Sequence, residues 1–532
     1  MPPNIGETPT GLPLDLTPAQ RSAGIMASLR KAVMGRAESA RDVARVADEV
    51  GPLVADACAQ PDAQPIFDRM SQDTGLTPDE AREKWARLQE ADILLESGGD
   101  PEAVSSAGAV GVSQWMPGTG AHGTLAIDQR ASAALTSQIE PLKWKVAWLK
   151  YWEAPTPPLT GPPPAGVPKL TAAQAAQKLP PMEAKLAALR AKRRAVDARY
   201  DPPKAILAQT RYLLNLYDRF PSPDWLFQAY HGGEAGVDRL LMRYLGPQWP
   251  GTSETAIRSG NAGGRLTFED VYLSVSPRSH PDAFSYLYGR GDDHRHYWWK
   301  LRVAQEAIAL YRQNRSAFQR QWLQLGPGYS TDAVWYTLAS RTPFRRLAEL
   351  QRARAAGDLA QVRDTPLWIV RPAPFDKSNA ETYNSLRPAS RGALYMLASA
   401  YRQAGGVSRL VLGDCALTED YVAVKRARFA APPAKYPMPP DPEISRVIRP
   451  DPAMRADYHT IGVPFDILHP ADRTQRKVLE YALGYFKDRG IMAWREENTG
   501  TEPKHYHVVP NPAFSEEFKK ISPGGPLDLP GL

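Results

Sequence analysis

The chain is poor in cysteine: two residues in 532, Cys58 and Cys415, far apart and in segments of different character. That argues against a disulfide framework, and without a CxxC pair it excludes a thiolate metal knuckle. There is no run of about eighteen apolar residues, so nothing in the sequence reads as a membrane span. No block of eight basic residues and no nucleic-acid motif occurs, so nucleic acid is not an expected partner. The first residues, MPPNIGETPTGLPLDLTPAQ, lack the charged and apolar regions of a signal peptide.

What is present is ordinary in bulk, with 43% hydrophobic and 23% charged residues. By the usual size scaling the chain is too long for one core. The net charge of +7 suits an anionic polymer, a cell wall or a nucleic acid, without choosing between them. Proline is raised, at 51 residues in the chain. That implies long ordered loops. The segment 154–168, APTPPLTGPPPAGVP, reads as an exposed insertion or stiff spacer.

Residues 1–75 read as an arm followed by helices. In TPDEAREKWARLQEADILLE, Thr77 is placed as N-cap, with Pro78 in the first turn and acidic residues after it. Trp85, Leu88, Ala91 and Leu95 recur at helical spacing as a buried stripe, and Gly98-Gly99 ends the helix. A second helix-rich block follows to about residue 314, with Gly326-Pro-Gly328 as a boundary. Beyond it the short runs TPLWIVRPA, SRLVLGD and HYHVVP alternate with helical stretches such as RPASRGALYMLASAYRQAGG. The expectation is a multidomain chain: an α-helical unit over 76–315, an α+β unit over 330–515, and a tail over 516–532.

Two constellations carry chemistry. The first is Glu96, at the end of an apolar helix and before the small-residue loop SSAGAVGVSQ, which lets a ligand approach the backbone. A carboxyl on an apolar wall keeps its proton, because desolvation disfavours the anion; a general acid for glycosidic cleavage needs that. The segment from Glu96-Ser97 through Asp100-Pro101, Ala103, Ser105, Gly108-Ala109, Gly111, Gln114, Met116-Pro117 and Thr119 resembles the signature of the soluble lytic transglycosylase domain, which is lysozyme-like in fold. VDARYDPPKAILAQTRYLLNLYDRF, AYHGGEAGVDRL and DDHRHYWWKLRVAQEAI resemble later blocks of the same family, in order.

The resemblance implies that Glu96 is the single catalytic acid and then base. It protonates the bridging oxygen, then accepts the C6 hydroxyl proton of muramic acid as a 1,6-anhydro sugar closes without water. It also implies that Gln114 and Tyr230 line the saccharide groove and that Ser105 and Ser106 support the turn. His231-Gly232 replaces the usual Asn-Ala, so altered substrate contact at His231 is expected. The polymer implied is peptidoglycan, and hence a location in the periplasm, the cell envelope or outside the cell.

The second constellation is His459 and Asp466 in DYHTIGVPFDI, with Glu502, His505 and His507 in TEPKHYHVVP. His505 and His507 are two apart in a β-like run and project to one face. A His/Asp pair with a downstream His and a nearby Glu fits a three-ligand catalytic zinc site. The arrangement resembles the zinc D-Ala-D-Ala peptidases and their LAS metallopeptidase relatives, with Asp457 and Pro464 departing from the pattern. Read as Glu-x-x-His, the motif makes Glu502 the base and His505 a ligand. Read as His-x-His, it makes His507 the ligand and His505 the basic partner; the regular run YHVV favours His507. Leu417 stands where the family carries a substrate-holding arginine, which leaves a wall-binding unit without activity as the competing expectation.

Overall fold

A computed structural model of the chain describes residues 17–36, 38–122, 124–153, 170–258, 265–276, 279–325, 335–336, 342–371, 376–429, 457–497 and 504–521. The arm before residue 17, the proline-rich insertion, the Gly326-Pro-Gly328 boundary, Glu502 and the tail beyond residue 521 lie outside them. Up to Leu325 the described chain is helical, and a small mixed sheet lies in the C-terminal part.

The elements used below are α1 (Pro18–Met34), α2 (Pro78–Ser97), α3 (Gln129–Glu153), α4 (Ala172–Val196), α5 (Pro202–Arg219), α6 (Pro223–Gly232), α7 (Gly291–Gln313), α8 (Pro388–Gln403) and α9 (Arg473–Asp488). The sheet strands are β1 (Trp368–Val370), β2 (Leu410–Leu412), β3 (Phe465–Leu468), β4 (Met492–Glu497) and β5 (His505–Pro510).

Helix α2 starts as its sequence dictates. Thr77 and Glu80 form a reciprocal capping box, Pro78 opens the first turn, and Gly98 closes the helix at φ 63°. Each of these signals acts within one turn of the helix end. Trp85, Leu88 and Ala91 are buried, and Leu95 packs at the margin of the same core. The last turns depart from a one-sided stripe: Gln89, Glu90, Asp92, Ile93 and Leu94 are buried too. Helices α1, α5, α6 and α7 pack in the same core as α2, so polar residues there must be satisfied from neighbouring helices.

Helices α3 and α4 pair along their length over their own apolar cluster, with Ile139, Val146, Leu149, Ala175, Leu179 and Leu186 buried between them. Ten basic side chains against three acidic ones on these two helices give a net +7, equal to that of the whole chain, so the positive excess is concentrated on this pair.

The sheet order is β1-β2-β3-β5-β4, with β1 and β2 parallel and the other pairs antiparallel. The runs expected as strands from TPLWIVRPA, SRLVLGD and HYHVVP are β1, β2 and β5. Strand β4, MAWREE, is not legible in the sequence because its second half is charged. Helices α8 and α9 pack against the sheet. The two halves share one continuous core. At their contact, Arg295 on α7 pairs with Asp488 at 3.0 Å, and the Tyr272 hydroxyl donates to the Asp488 carbonyl at 2.8 Å. Gly490 lies flat against the backbone of Gly24 on α1, where a Cβ would overlap the Gly24 carbonyl.

Candidate functional sites

The first site is built on the last turn of α2. Ser97 donates to the Val112 carbonyl at 2.6 Å and so ties the small-residue loop to the helix end. Within the loop, Val110 bridges both Val104 and Trp115. Gly111 has φ 77°, and a Cβ there would run into the Arg199 carbonyl. Only glycine fits such a position. The Trp115 indole donates to the Ala205 carbonyl at 3.2 Å and anchors the loop on α5.

Glu96 and Asp92 are one turn apart and share a face of α2. The Tyr297 hydroxyl of α7 lies 2.6 Å from Asp92 Oδ1 and 2.8 Å from Glu96 Oε1. His231 Nδ1, from the end of α6, lies 3.0 Å from the same Glu96 oxygen. Its ring stacks on Tyr297 with centroids 3.9 Å apart and planes 9° from parallel. His294 lies beside it, at 4.9 Å between ring centroids. Burial, then the nearby His231 and Arg290, pull the His294 imidazole down to about 4, so it is neutral at pH 7.

The Glu96 side chain keeps 16% of its surface open, whereas Asp92 is sealed. Its wall is thus more polar than the apolar flank Leu94-Leu95 suggests. Burial, then the charge of Glu96, hold the Asp92 carboxyl well above the usual range, against the hydrogen bonds from Tyr297 and Gln209. The Gln209 amide donates to Asp92 Oδ2 at 2.7 Å, and Ser113 donates to the Gln209 carbonyl oxygen at 2.9 Å.

The other residues expected here fall into two groups. His231 and Tyr230 are brought to the Glu96 side of the molecule, but the Tyr230 hydroxyl donates inward, to the Ser113 carbonyl at 2.6 Å. Gln114, with φ 47°, turns its amide onto the Gly111 carbonyl at 2.9 Å. Ser105 accepts from the Ala109 amide at 3.0 Å within the loop. Ser106 is exposed. Reading the sequence does not single out Asp92, Gln209 or Tyr297. The one available signal is an aspartate at helical spacing from Glu96 on a buried stripe.

The second site lies where β3 meets β5. The register sets Asp466 opposite His507, Leu468 opposite His505, Arg495 opposite His507 and Glu497 opposite His505. Asp466, His507, His505, Arg495 and Glu497 therefore share one face of the sheet. His459 enters from the turn Tyr458–Ile461, which Gly462 closes at φ 70°. His459 Nε2 is 3.2 Å from Asp466 Oδ1 and 3.2 Å from His507 Nδ1, and the last two atoms are 3.0 Å apart. These three buried residues could hold a metal ion.

The Cys415 carbonyl lies 2.8 Å from His459 Nδ1. A carbonyl can only accept, so Nδ1 carries a proton and Nε2 turns to the centre. In the chain by itself, burial would lower the His459 imidazole, but Asp466 outweighs it and lifts it to about 10. Burial would likewise raise Asp466, and the two histidines hold it well below the carboxylate range. His505 Nε2 is 3.4 Å from both Asp466 Oδ2 and Glu497 Oε2. Burial of Glu497 is outweighed by His505, His507 and Arg495, which bring it down to about 2. Glu497 escapes the sequence reading because β4 does; it stands beside His505. Leu417 is buried with Tyr383, Tyr421 and Val422.

Comparison with family models, curated proteins and solved structures finds no match to this chain.

Proposed function

We propose that the chain is a peptidoglycan-degrading or remodelling enzyme of the cell envelope. Its helical part cleaves the MurNAc–GlcNAc β-1,4 bond with formation of 1,6-anhydroMurNAc, and its C-terminal part acts as a zinc peptidase on the peptide stems. The observation that carries the first activity is the setting of Glu96. It is a partly open carboxyl beside a glycine-shaped loop, with Tyr297 and His231 on one oxygen, and its nearest carboxyl partner, Asp92, is sealed from any sugar. A glycosidase with two working carboxyls needs both at the sugar. One accessible carboxyl suits a reaction in which Glu96 first gives a proton and then takes one back, the sugar's own hydroxyl serving as nucleophile.

For the second activity the support is the donor set. Two imidazole nitrogens and a carboxylate oxygen lie 3.0 to 3.2 Å from one another. Zinc bonds of about 2.0–2.1 Å at tetrahedral angles set donor atoms about 3.3 Å apart. The Cys415 carbonyl fixes the His459 ring from behind, as an acceptor on the far nitrogen of a metal-bound imidazole does. When bound, zinc would polarise a water for attack on a peptide carbonyl. Glu497, on the same sheet face, would take that water's proton, with His505 beside it to steady the carboxyl.

A second reading is favoured by Leu417. An apolar cluster occupies the position expected to bear a substrate-holding cation, which suits a C-terminal part that binds wall peptides without cutting them. A hydrolytic muramidase is the alternative for the first part, and it would leave reducing ends.

Mass spectrometry of muropeptides released from purified peptidoglycan, with and without a zinc chelator, tests both activities. The expected products are anhydro-muropeptides that survive the chelator and cut stems that vanish with it. Reducing ends in place of anhydro sugars would replace the transglycosylase with a muramidase. Intact stems would leave the C-terminal part as a binder.

A further inference from the structure

Tyr297 has one hydroxyl proton and two carboxyl oxygens at hydrogen-bond distance, Asp92 Oδ1 at 2.6 Å and Glu96 Oε1 at 2.8 Å. It can donate to one of them only. Were both carboxyls ionised, the other contact would set lone pair against lone pair in a buried site, which costs far more than either bond returns. The phenol itself stays protonated: burial and the two carboxyls push Tyr297 well above its ordinary range. One further proton must therefore lie between the three groups.

Asp92 is the place for it. The residue is sealed, and Gln209 supplies a hydrogen to its Oδ2 alone, so Oδ1 has no donor if Tyr297 turns to Glu96. Glu96 is the more open of the two and has His231 as a second partner. The titratable groups around the pair are Tyr297 and His294 from α7, and Tyr230 and His231 from α6, with Tyr212 behind Tyr230 and Arg290 behind His294.

We infer that Asp92 remains a neutral carboxylic acid that donates to the Tyr297 oxygen and thereby commits the Tyr297 proton to Glu96 Oε1, so that Glu96 works through Oε2. The inference rests on the reading of Glu96 as the acid and base. It gives the site a fixed hydrogen-bond direction, Asp92 to Tyr297 to Glu96. That direction serves both halves of the reaction: Tyr297 donates to Oε1 while Oε2 gives up its proton to the leaving oxygen and while Oε2 takes the C6 hydroxyl proton. No proton leaves Asp92. It is a positioning residue, acting on Glu96 through Tyr297.

The test separates a neutral donor from a buried anion. In Asp92→Asn the new side-chain amide can accept from Gln209 and donate a hydrogen to Tyr297, as the acid does. Asp92→Asn is expected to keep kcat for anhydro-muropeptide release within about threefold of wild type. Asp92→Leu, of similar size but with no donor, should lose about tenfold or more in kcat with KM little changed, the loss of one oriented hydrogen bond. Equal loss in the two variants would mean that Asp92 acts as an anion, and full activity in Asp92→Leu would mean that it positions nothing; either overturns the inference.

Should Asp92→Leu not fold, infrared spectroscopy of the wild-type protein decides. A protonated carboxylic acid band that persists at pH 8 and disappears in Asp92→Asn is expected, and its absence overturns the inference. Glu96→Gln keeps the two questions apart. If that variant still releases anhydro products, the catalytic reading of Glu96 fails, whatever the state of Asp92.

Discussion

At the scale of single residues, the two carboxyls of α2 divide access from protection. Glu96 keeps part of its surface open and holds two partners on one oxygen, so Glu96→Gln should abolish anhydro-muropeptide release while the circular-dichroism spectrum and melting temperature stay near wild type. Unchanged release would remove the assignment. Asp92 gives a prediction in pH. Its folded-state pKa is raised above the unfolded value. That unfolded value is about 3.9, so the contribution of Asp92 is fully present below about pH 4. It is then lost as pH rises, because the unfolded chain gives up a proton that the folded chain must keep. Asp92→Asn should therefore gain stability relative to wild type with rising pH, by up to about 1.4 kcal/mol per pH unit, and no difference should open between them below pH 4. Urea unfolding at pH 4, 6 and 8 measures this; parallel curves would show that Asp92 titrates as it does in the unfolded chain.

Tyr230 belongs to the same scale. Its hydroxyl is spent on the Ser113 carbonyl. Tyr230→Phe leaves that buried acceptor bare and should cost about 1 kcal/mol in urea unfolding. A groove role adds a loss of cleavage beyond that cost. Stability loss with normal cleavage would make Tyr230 a bracing residue alone.

At the scale of elements, the loop after α2 depends on close backbone contact. Gly111 sits against the Arg199 carbonyl at a positive φ, and the Trp115 indole pins the loop to the first turn of α5 at the Ala205 carbonyl. On the sheet, β3 and β5 in register make the pairing of Asp466 with His507, two of the three donors that could hold a metal, a property of strand pairing. Elemental analysis should find about one zinc per chain, lost in His459→Ala; a metal-free protein with full folded stability would remove the peptidase reading. Helices α3 and α4 hold each other through their own apolar cluster.

At the scale of the whole molecule, the halves that differ in composition are not separate in packing. Arg295, Asp488, Tyr272, Gly24 and Gly490 join the helical part to the sheet part, and one apolar core runs through both. Calorimetry should therefore show the two parts unfolding together. Two well-separated transitions would mean that the contact contributes little. If glycan and peptide sites are both active, holding them in one body raises the local concentration of the second site once the first has bound the polymer.

Local chemistry is enough to place α2, its capping box, its glycine stop and Glu96, because caps and turn glycines act over a few residues. The same holds for His459, Asp466 and His507, whose spacing and period put them on a turn and on strand faces. What surrounds those side chains is decided only in three dimensions. Asp92 and Tyr297 are 205 residues apart, and Glu497 reaches His505 through a strand whose charged half hides it. A sequence states which groups can titrate or donate; burial and partners drawn from distant elements decide which of them hold protons, and that free energy exists only once the chain has closed around them.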